Sequence, residues 1–169
     1  WPWFKGGRDN RYITQYIMGG FARLKYMGVD WPSLAGGNHK NMVYNGVTYL
    51  DARIHDDYED LLAKERDLNK QNISSIHVHY LYVRSFYMEQ VNVSENFKVA
   101  YDYYLSQAKE YWGELSINSR AMLAIALHRR GDAELVEKIM ASLDNIALHS
   151  DEMGMYWRDI ANNSGYNWH

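Results

Sequence analysis

Residues 76–88 read IHVHYLYVRSFYM, and the structure of this stretch decides the fold class. It is apolar on nearly every side of a helical projection, which is typical of a buried helix. Its Val and Tyr content is also compatible with a β-strand. With its flanks the stretch extends over residues 75–90, which is long for a strand, so we predict a buried helix there.

Outward from this stretch, apolar residues at helical spacing predict five more helices. They cover residues 10–27, 42–69, 95–112, 117–130 and 133–148. The segment between the first two helices is a predicted loop. The chain after residue 148 combines turn residues with aromatic residues, and it is predicted to be irregular or to form short strands.

Local signals define several ends of these helices. Side chains that can accept a hydrogen bond from the first turn precede three of them, at Asp9 or Asn10, Ser94 and Asp132. Gly28 and Gly131 follow the last residues of two helices, where a positive φ angle is needed. No proline occurs after Pro32, which fits a mostly helical chain.

Six helices with short connections predict three antiparallel hairpins. A more buried helix alternates with a more charged one, which is typical of the inner and outer helices of an α/α toroid. A closed toroid commonly contains six hairpins. We therefore predict an all-α fold that forms about half of an α/α toroid, with residues 1–169 as a single domain fragment.

Composition excludes several functional classes. The net charge is −3, so no basic excess favours binding to nucleic acid. The chain contains no Cys, which excludes disulfides, thiolate nucleophiles and Cys-ligated zinc within it. No apolar run approaches the roughly 20 residues of a membrane span. The chain opens inside an aromatic, glycine-rich loop, and from this we expect that it is a piece of a larger protein.

Three stretches resemble one protein family. Residues 2–28, PWFKGGRDNRYITQYIMGGFARLKYMG, are similar to the segment of bacterial α2-macroglobulin-like proteins in which an aromatic loop leads into a toroid helix. Residues 120–148, RAMLAIALHRRGDAELVEKIMASLDNIAL, resemble a helix–turn–helix of that family. Residues 152–169, EMGMYWRDIANNSGYNWH, resemble the connection before its next helix.

The resemblance implies a fold and a function. The matching region of the family is the thioester domain, an α/α toroid also found in complement components and similar to terpenoid cyclases. Thioester-bearing members carry a Cys-x-Glu-Gln motif, acylate an attacking protease and entrap it. That motif is absent here, and in the family it lies upstream of the segment that matches Trp1.

The expected role is therefore a non-enzymatic scaffold segment, without a cofactor, of an endopeptidase inhibitor. Its expected partners are the neighbouring domains of the parent chain and, through the parent, target proteases. The family implies export to the periplasm or the cell surface, with a lipid anchor on the parent in many members.

Two histidines could suggest chemistry. His77 and His79 would share one face of a strand, as metal ligands can, but on a helix they diverge by about 200°. They are also the nearest candidates for the acyl-transfer histidine of some complement relatives, and that role is not assigned to either. The acidic run at residues 55–60, HDDYED, resembles the acidic pair of terpene cyclases, and we interpret it as the solvated face of the second helix.

A carbohydrate-active enzyme is the main alternative, because many glycosidases use an α/α toroid. Such an enzyme needs two carboxyl groups roughly 5–10 Å apart across a cleft. Candidate acids stand in loops among aromatic residues at Asp9, Asp151, Glu152 and Asp159. No spacing marks a particular pair. A generic helical interaction module is the second alternative.

Aromatic residues cluster at both ends of the chain. The first group contains Trp1, Trp3 and Phe4, and the second contains Tyr156, Trp157, Tyr166 and Trp168. They either close the core over the helix ends or form an interface with the rest of a larger protein. Unpaired helices at the ends of a half-ring would expose apolar surface, so self-association of the fragment is also expected.

Overall fold

The computed structural model describes residues 1–29 and 38–158. Within these ranges the chain is mostly helical, which confirms the predicted all-α class at that level. The helices are α1 (Arg11–Tyr26), α2 (His39–Ala63), α3 (Ser75–Ser85), α4 (Glu95–Glu110), α5 (Ile117–Arg129) and α6 (Ala133–Asn145). A single 3-10 turn, Trp112–Glu114, precedes α5, and an antiparallel hairpin of β1 (Leu148–Ser150) and β2 (Gly154–Tyr156) follows α6. No described helix has the length and apolarity needed to span a membrane.

Helix α3 lies at the centre of the core, and it is a helix rather than a strand, as predicted. It contacts α1, α2, α4 and α5. Val78, Tyr80, Leu81 and Val83 on this helix are at most 2% exposed. Burial of an apolar side chain of this size contributes about 1.5–3 kcal/mol, so this short helix is a large part of the folding free energy.

The helices alternate between two layers. The first layer contains α1, α3 and α5, and α3 contacts both of the others. The second layer contains α2, α4 and α6. Within it α2 contacts α4, and α6 packs on α5 of the first layer. The Gln15 side-chain amide donates to the Ile76 carbonyl (3.0 Å), and Gly19 lies against Val83, so α1 and α3 run parallel.

Helices that follow one another in the chain run antiparallel. Along α1 and α2, Arg11 meets Asp57 and Met18 meets Gly46. Along α5 and α6, a guanidinium nitrogen of Arg120 lies 3.2 Å from the Ser142 hydroxyl. The described residues thus contain three antiparallel hairpins whose first helices lie side by side.

Charge is segregated between the two sets of helices. The sequences of α1, α3 and α5 contain no Asp or Glu, although each contains at least one Arg. Helices α2, α4 and α6 contain several acidic residues each. The first layer is therefore basic although the chain as a whole carries a net negative charge.

Several predicted helix ends are wrong, and tertiary contacts account for two of them. Helix α2 begins three residues before the predicted start. It ends at Ala63, six residues before the predicted end, because residues 64–74 are held as a loop on α4. In this loop the Asn72 N–H donates to Gln107 (2.8 Å), and its side-chain amide donates to the Tyr103 hydroxyl (2.9 Å). Helix α3 ends at Ser85, after which the Tyr87 hydroxyl donates to the Met18 carbonyl (2.7 Å).

The predicted caps are confirmed in part. The Asn10 side chain accepts a hydrogen bond from the Ile13 N–H (3.0 Å), and Gly28 and Gly131 have φ angles of 77° and 79° after α1 and α5. Ser94 and Asp132 occupy the N-cap positions without a side-chain capping hydrogen bond, so that part of the prediction is wrong. The Asp132 carboxylate instead pairs with Lys109 on α4 (2.5 Å).

Candidate functional site

A polar cluster joins α1, α2 and α3 at one end of the core. We call Arg11, Asp57, Ser74 and His77 the junction cluster. One Asp57 oxygen accepts hydrogen bonds from the Arg11 guanidinium and from His77 Nε2, the latter at 3.0 Å. The His77 ring is 8% exposed and stacks on Tyr104, with centroids 4.2 Å apart. One carboxylate thus links three helices.

The hydrogen bonds fix the tautomer of His77. The Ser74 N–H donates to His77 Nδ1 (3.0 Å), so Nδ1 is unprotonated and Nε2 carries the proton that is donated to Asp57. The Ser74 hydroxyl lies 3.2 Å from the same Nδ1. The order hydroxyl–imidazole–carboxylate occurs in serine hydrolases. Here the lone pair of Nδ1 already accepts the backbone N–H of a helix cap, so the imidazole is poorly placed to accept the hydroxyl proton.

The Asp57 carboxyl is held in its charged form. Burial alone would raise its pKa, but the His77 hydrogen bond and the Arg11 guanidinium outweigh this effect and lower the pKa below its ordinary value. Asp57 belongs to the acidic run at residues 55–60, where we predicted a solvated face. That interpretation is wrong for Asp57, which is turned toward the junction between helices.

The other charged residues of the acidic run pair along the surface of α2. Asp56 pairs with Arg53 (2.7 Å) and Asp60 pairs with Lys64 (2.6 Å). His55 Nε2 lies 3.7 Å from Glu59. These side chains form a solvated, self-compensated face, as predicted. Within residues 1–29 and 38–158, no group of three or more His, Cys, Asp or Glu side chains is arranged to hold a metal ion.

His79 lies on a different side of α3 from His77. Its ring is half-buried between Tyr12 of α1 and Tyr82. Burial, and then the nearby Arg23 cation, lower the His79 pKa to about 4. The imidazole is therefore neutral at physiological pH and acts as an aromatic contact.

A second polar cluster is enclosed in the core. Asp51, Tyr80 and Arg84 are at most 2% exposed, and we call them the buried cluster. Asp51 Oδ1 accepts from the Tyr80 hydroxyl (2.7 Å) and from Arg84 Nε (3.0 Å). Arg84 also donates to the Val91 carbonyl (2.7 Å), which ties the chain after α3 back to the core. Burial raises the pKa of Asp51, and the Arg84 guanidinium opposes that shift.

The buried cluster was missed in the sequence, although its signal is present. Asp51 stands on the apolar stripe of α2 between Val47, Leu50 and Ile54. Arg84 interrupts an otherwise apolar run in α3. A charged residue on each of two buried faces is the pattern expected of an internal ion pair, since an unpaired buried charge is very costly.

The N-terminal aromatic residues divide into a packed and an exposed group. The loop closes through a bridge between Pro2 and Asp9. Trp1 is half-buried and contacts the Phe21 ring edge-on (6.3 Å). Trp3 and Phe4 are 67% and 72% exposed.

Trp1 also lines an open cavity of about 370 Å³ between the N-terminal loop and α2. Polar side chains from both sides face this cavity, including Asp9, Asn41, Asn45 and Tyr49. Gly46 forms part of its wall, and α1 and α2 approach closely there, since a Cβ atom at Gly46 would lie 2.6 Å from the Met18 sulfur. Among the described residues that line the cavity, Asp9 carries the only carboxyl group.

The C-terminal aromatic residues belong to the hairpin and its exit. Tyr156 in β2 is half-buried, and Trp157 is 39% exposed while its indole N–H donates to the Leu143 carbonyl of α6 (2.8 Å). Tyr166 and Trp168 lie outside the described residues. No ring contact between the N-terminal and C-terminal groups occurs within the described ranges.

The candidate acids for glycoside cleavage are not brought together in any described contact. Asp9 lies in the N-terminal loop, and Asp151 and Glu152 lie in the turn between β1 and β2. No hydrogen bond or ion pair of the described residues joins the loop to this turn. Asp159 lies outside the described ranges.

Comparison of the chain with protein-family models, with curated proteins and with solved structures found no match. The resemblance of residues 2–28, 120–148 and 152–169 to α2-macroglobulin-like proteins therefore stays a prediction.

Proposed function

We propose that this chain is a non-enzymatic scaffold segment of an α2-macroglobulin-like endopeptidase inhibitor that entraps proteases in the bacterial envelope. The observation that carries the proposal is the alternation of the helices between two layers, with the first helices of three antiparallel hairpins side by side. An arc of an α/α toroid has this arrangement. The first two resembling stretches coincide with the N-terminal loop and α1 and with α5 and α6, and the described part of the third, residues 152–158, contains β2 of the hairpin.

A scaffold must keep its helices in fixed relative positions, and the polar clusters serve this purpose. The junction cluster ties α1 and α2 to the first turn of α3. The buried cluster ties α2 to the last turn of α3 and to Val91. The central helix is therefore fixed to α2 at both ends, by the His77–Asp57 hydrogen bond at one end and by the Asp51–Arg84 ion pair at the other.

In this proposal the exposed aromatic residues contact neighbouring domains of the parent chain. Trp3 and Phe4 project from the N-terminal loop, and Trp157 projects beside α6. Large aromatic side chains on a protein surface often act as anchors of interfaces. The parent is exported to the periplasm or the cell surface, and any thioester is supplied from a region upstream of Trp1.

The coding sequence on both sides of this segment tests the family assignment. We expect further toroid helices on both sides and either a Cys-x-Glu-Gln motif or its replacement upstream. Flanking sequence that encodes an unrelated fold would reject the assignment.

The parent protein tests the function. We expect that trypsin, elastase or thermolysin incubated with the full-length parent loses activity on a large protein substrate and retains activity on a small peptide substrate. That difference is characteristic of a protease enclosed in a molecular trap. Equal activity on both substrates with all three proteases would reject the proposed inhibitor.

A further inference from the structure

A row of aromatic rings runs along the junction of α1 and α3. Tyr12, His79, Tyr82 and Phe86 form this row, which we call the aromatic strip. Tyr12 is 39% exposed, His79 and Phe86 are half-buried, and Tyr82 is a buried core residue that joins them. Successive ring centroids are 6.3, 6.4 and 5.1 Å apart. Tyr16, one turn after Tyr12 on α1, is 64% exposed and extends the apolar surface.

Two arginines border the Phe86 end of the aromatic strip. Arg23 Nε donates to the Tyr82 hydroxyl (3.3 Å), and the Arg129 guanidinium lies 3.9 Å above the Phe86 ring centroid. Both side chains are exposed, and neither forms an ion pair with a described carboxylate. Since α1, α3 and α5 contain no acidic residue, no helix of this layer supplies one.

The pairing of these arginines with rings leaves their charge available. A guanidinium stacked on an aromatic ring keeps its N–H groups free to bind carboxylates in two-pronged geometry. Arg53, Lys64 and Lys138 have acidic partners within 2.7 Å, whereas several other exposed cations, such as Lys5, Arg66 and Lys98, form no ion pair with a described carboxylate. What distinguishes Arg23 and Arg129 is that both lie against rings of the aromatic strip, so that positive charge with no acidic partner among the described residues borders an aromatic surface.

We propose that the accessible rings of the aromatic strip, Tyr12, His79 and Phe86, together with Arg23 and Arg129, form a docking surface for an acidic polypeptide segment of a partner protein. The proposal does not depend on the proposed inhibitor function. From His79 to Phe86 the helix rises about 10 Å, which equals about three residues of extended chain. A peptide segment that matches this surface places an aromatic or large apolar side chain over Tyr12 and Tyr16. Its carboxylates stand about three residues away in the peptide and lie between the two arginines.

A nucleic acid fits this surface less well than a peptide does. A duplex presents a regular line of phosphates, and tight binding requires neutralisation of several of them. Here the two arginines lie at one end of the strip. The negative charge of α2, α4 and α6 would also repel a long polyanion.

Fluorescence anisotropy of this chain with a synthetic labelled peptide tests the proposal. The probe peptide contains two pairs of Glu residues. One Trp stands three residues from the first pair, and one Phe stands three residues from the second pair. We expect saturable binding that weakens at high salt. A peptide with Lys in place of Glu, and a peptide with Gly in place of both aromatic residues, should each bind at least tenfold more weakly.

Charge-reversal variants locate the surface. The double variant Arg23→Glu, Arg129→Glu should weaken binding of the probe at least tenfold, and Tyr12→Ala should weaken it several-fold. Arg53→Glu is the matched control, since Arg53 lies 5.4 Å above the Tyr49 ring on α2 but pairs with Asp56, and it should leave binding unchanged. Circular dichroism shows whether each variant is folded. For a variant that is not, Arg23→Gln with Arg129→Gln replaces the double reversal.

Three outcomes would overturn the proposal. The first is that no probe peptide binds the unaltered chain. The second is that Arg53→Glu weakens binding as much as the double variant does. The third is that a DNA duplex or heparin competes as well as the acidic peptide at equal charge, which would show a non-specific anion surface.

Discussion

At the scale of single residues, the chain depends on charges that are placed inside the core and compensated there. Arg84 is 1% exposed and fixes both Asp51 and the carbonyl of Val91. Removal of one partner of a buried ion pair leaves the other charge without compensation. The buried cluster is therefore the most sensitive polar feature of the described core.

We expect Arg84→Met to lower the free energy of unfolding by about 3–5 kcal/mol, because Asp51 would be left buried without a cation. Urea denaturation measures the change. The double variant Asp51→Leu, Arg84→Met removes both charges and should be clearly more stable than Arg84→Met alone. Arg53→Met, which breaks an exposed ion pair, should cost less than about 1 kcal/mol. An equal loss of stability in Arg53→Met and Arg84→Met would contradict the assignment of Asp51 and Arg84 as a buried ion pair.

His79 gives the stability of the chain a dependence on acid pH. Its pKa is about 4 in the folded state and about 6.5 in an unfolded chain, so the unfolded state binds the proton first as the pH falls. Stability is therefore lost between pH 6.5 and about 4, by up to roughly 3 kcal/mol. The groups around the ring are Arg23, Tyr12 and Tyr82, none of which favours the protonated form through a negative charge.

We expect His79→Phe to remove this part of the pH dependence, because Phe keeps the ring contacts and does not titrate. Urea unfolding at neutral pH and at about pH 5 compares the loss of stability in the variant with that in the unaltered chain. His128→Gln, at an exposed position of α5, serves as the control because it removes a histidine and keeps the ring contacts of His79. If His79→Phe and the unaltered chain lose the same stability on acidification, His79 is not the titrating group.

At the scale of elements, the sequence predicted each helix but not where several of them end. Apolar periodicity depends on the buried face, and it located α1, α4 and α5 to within two residues at each end, whereas the predicted end of α3 was five residues too late. The end of α2 was predicted six residues too late, because Leu68 continues the apolar spacing beyond Ala63. The loop from 64 to 74 is held by Tyr103 and Gln107 of α4, a long-range contact that no local pattern contains.

Two glycines within helices should respond to Ala substitution in opposite ways. At Gly46 a Cβ atom would lie 2.6 Å from the Met18 sulfur and 3.0 Å from the Trp1 ring, whereas at Gly20 nothing lies within 4 Å. Gly20→Ala should therefore stabilise the chain by about 0.5–1 kcal/mol through helix propensity. Gly46→Ala should destabilise it by about 1–3 kcal/mol, since the added methyl group must displace the fully buried Met18 side chain within the core.

Thermal unfolding of both glycine variants measures these changes. Opposite signs are expected, and the unaltered chain is the reference for both. A rise in melting temperature for Gly46→Ala as large as that for Gly20→Ala would show that α1 and α2 do not approach closely at Gly46.

At the scale of the whole molecule, the fold class was predictable and the polar sites were not. The apolar run at residues 76–88 identified the central helix, because a helix that is apolar on all sides is predicted to be buried whichever elements pack against it. The junction cluster combines residues from three helices that are up to 66 positions apart, from Arg11 to His77. Periodicity along one helix cannot indicate which charges meet across helices, so Asp57 was interpreted as solvated.

The last helix should promote self-association. Met140 on α6 and Met153 and Met155 in the hairpin are at least 52% exposed. We expect the mass measured by light scattering to rise above 19.9 kDa with increasing protein concentration. Met140→Glu should reduce the rise, and Val99→Glu, at an exposed position of α4, should not. A constant monomer mass at every concentration would contradict the expectation.

The burial of Tyr87, whose hydroxyl donates to the Met18 carbonyl, has a consequence in alkaline solution. Burial raises the pKa of Tyr87, Tyr104 and Tyr80 above that of an ordinary phenol, which is about 10. Unfolding restores ordinary ionisation, so stability falls as the pH rises above about 10. A spectrophotometric titration should therefore show a second, cooperative rise in phenolate absorbance that coincides with loss of helical circular dichroism. These phenols would thus report the opening of the core without an added dye.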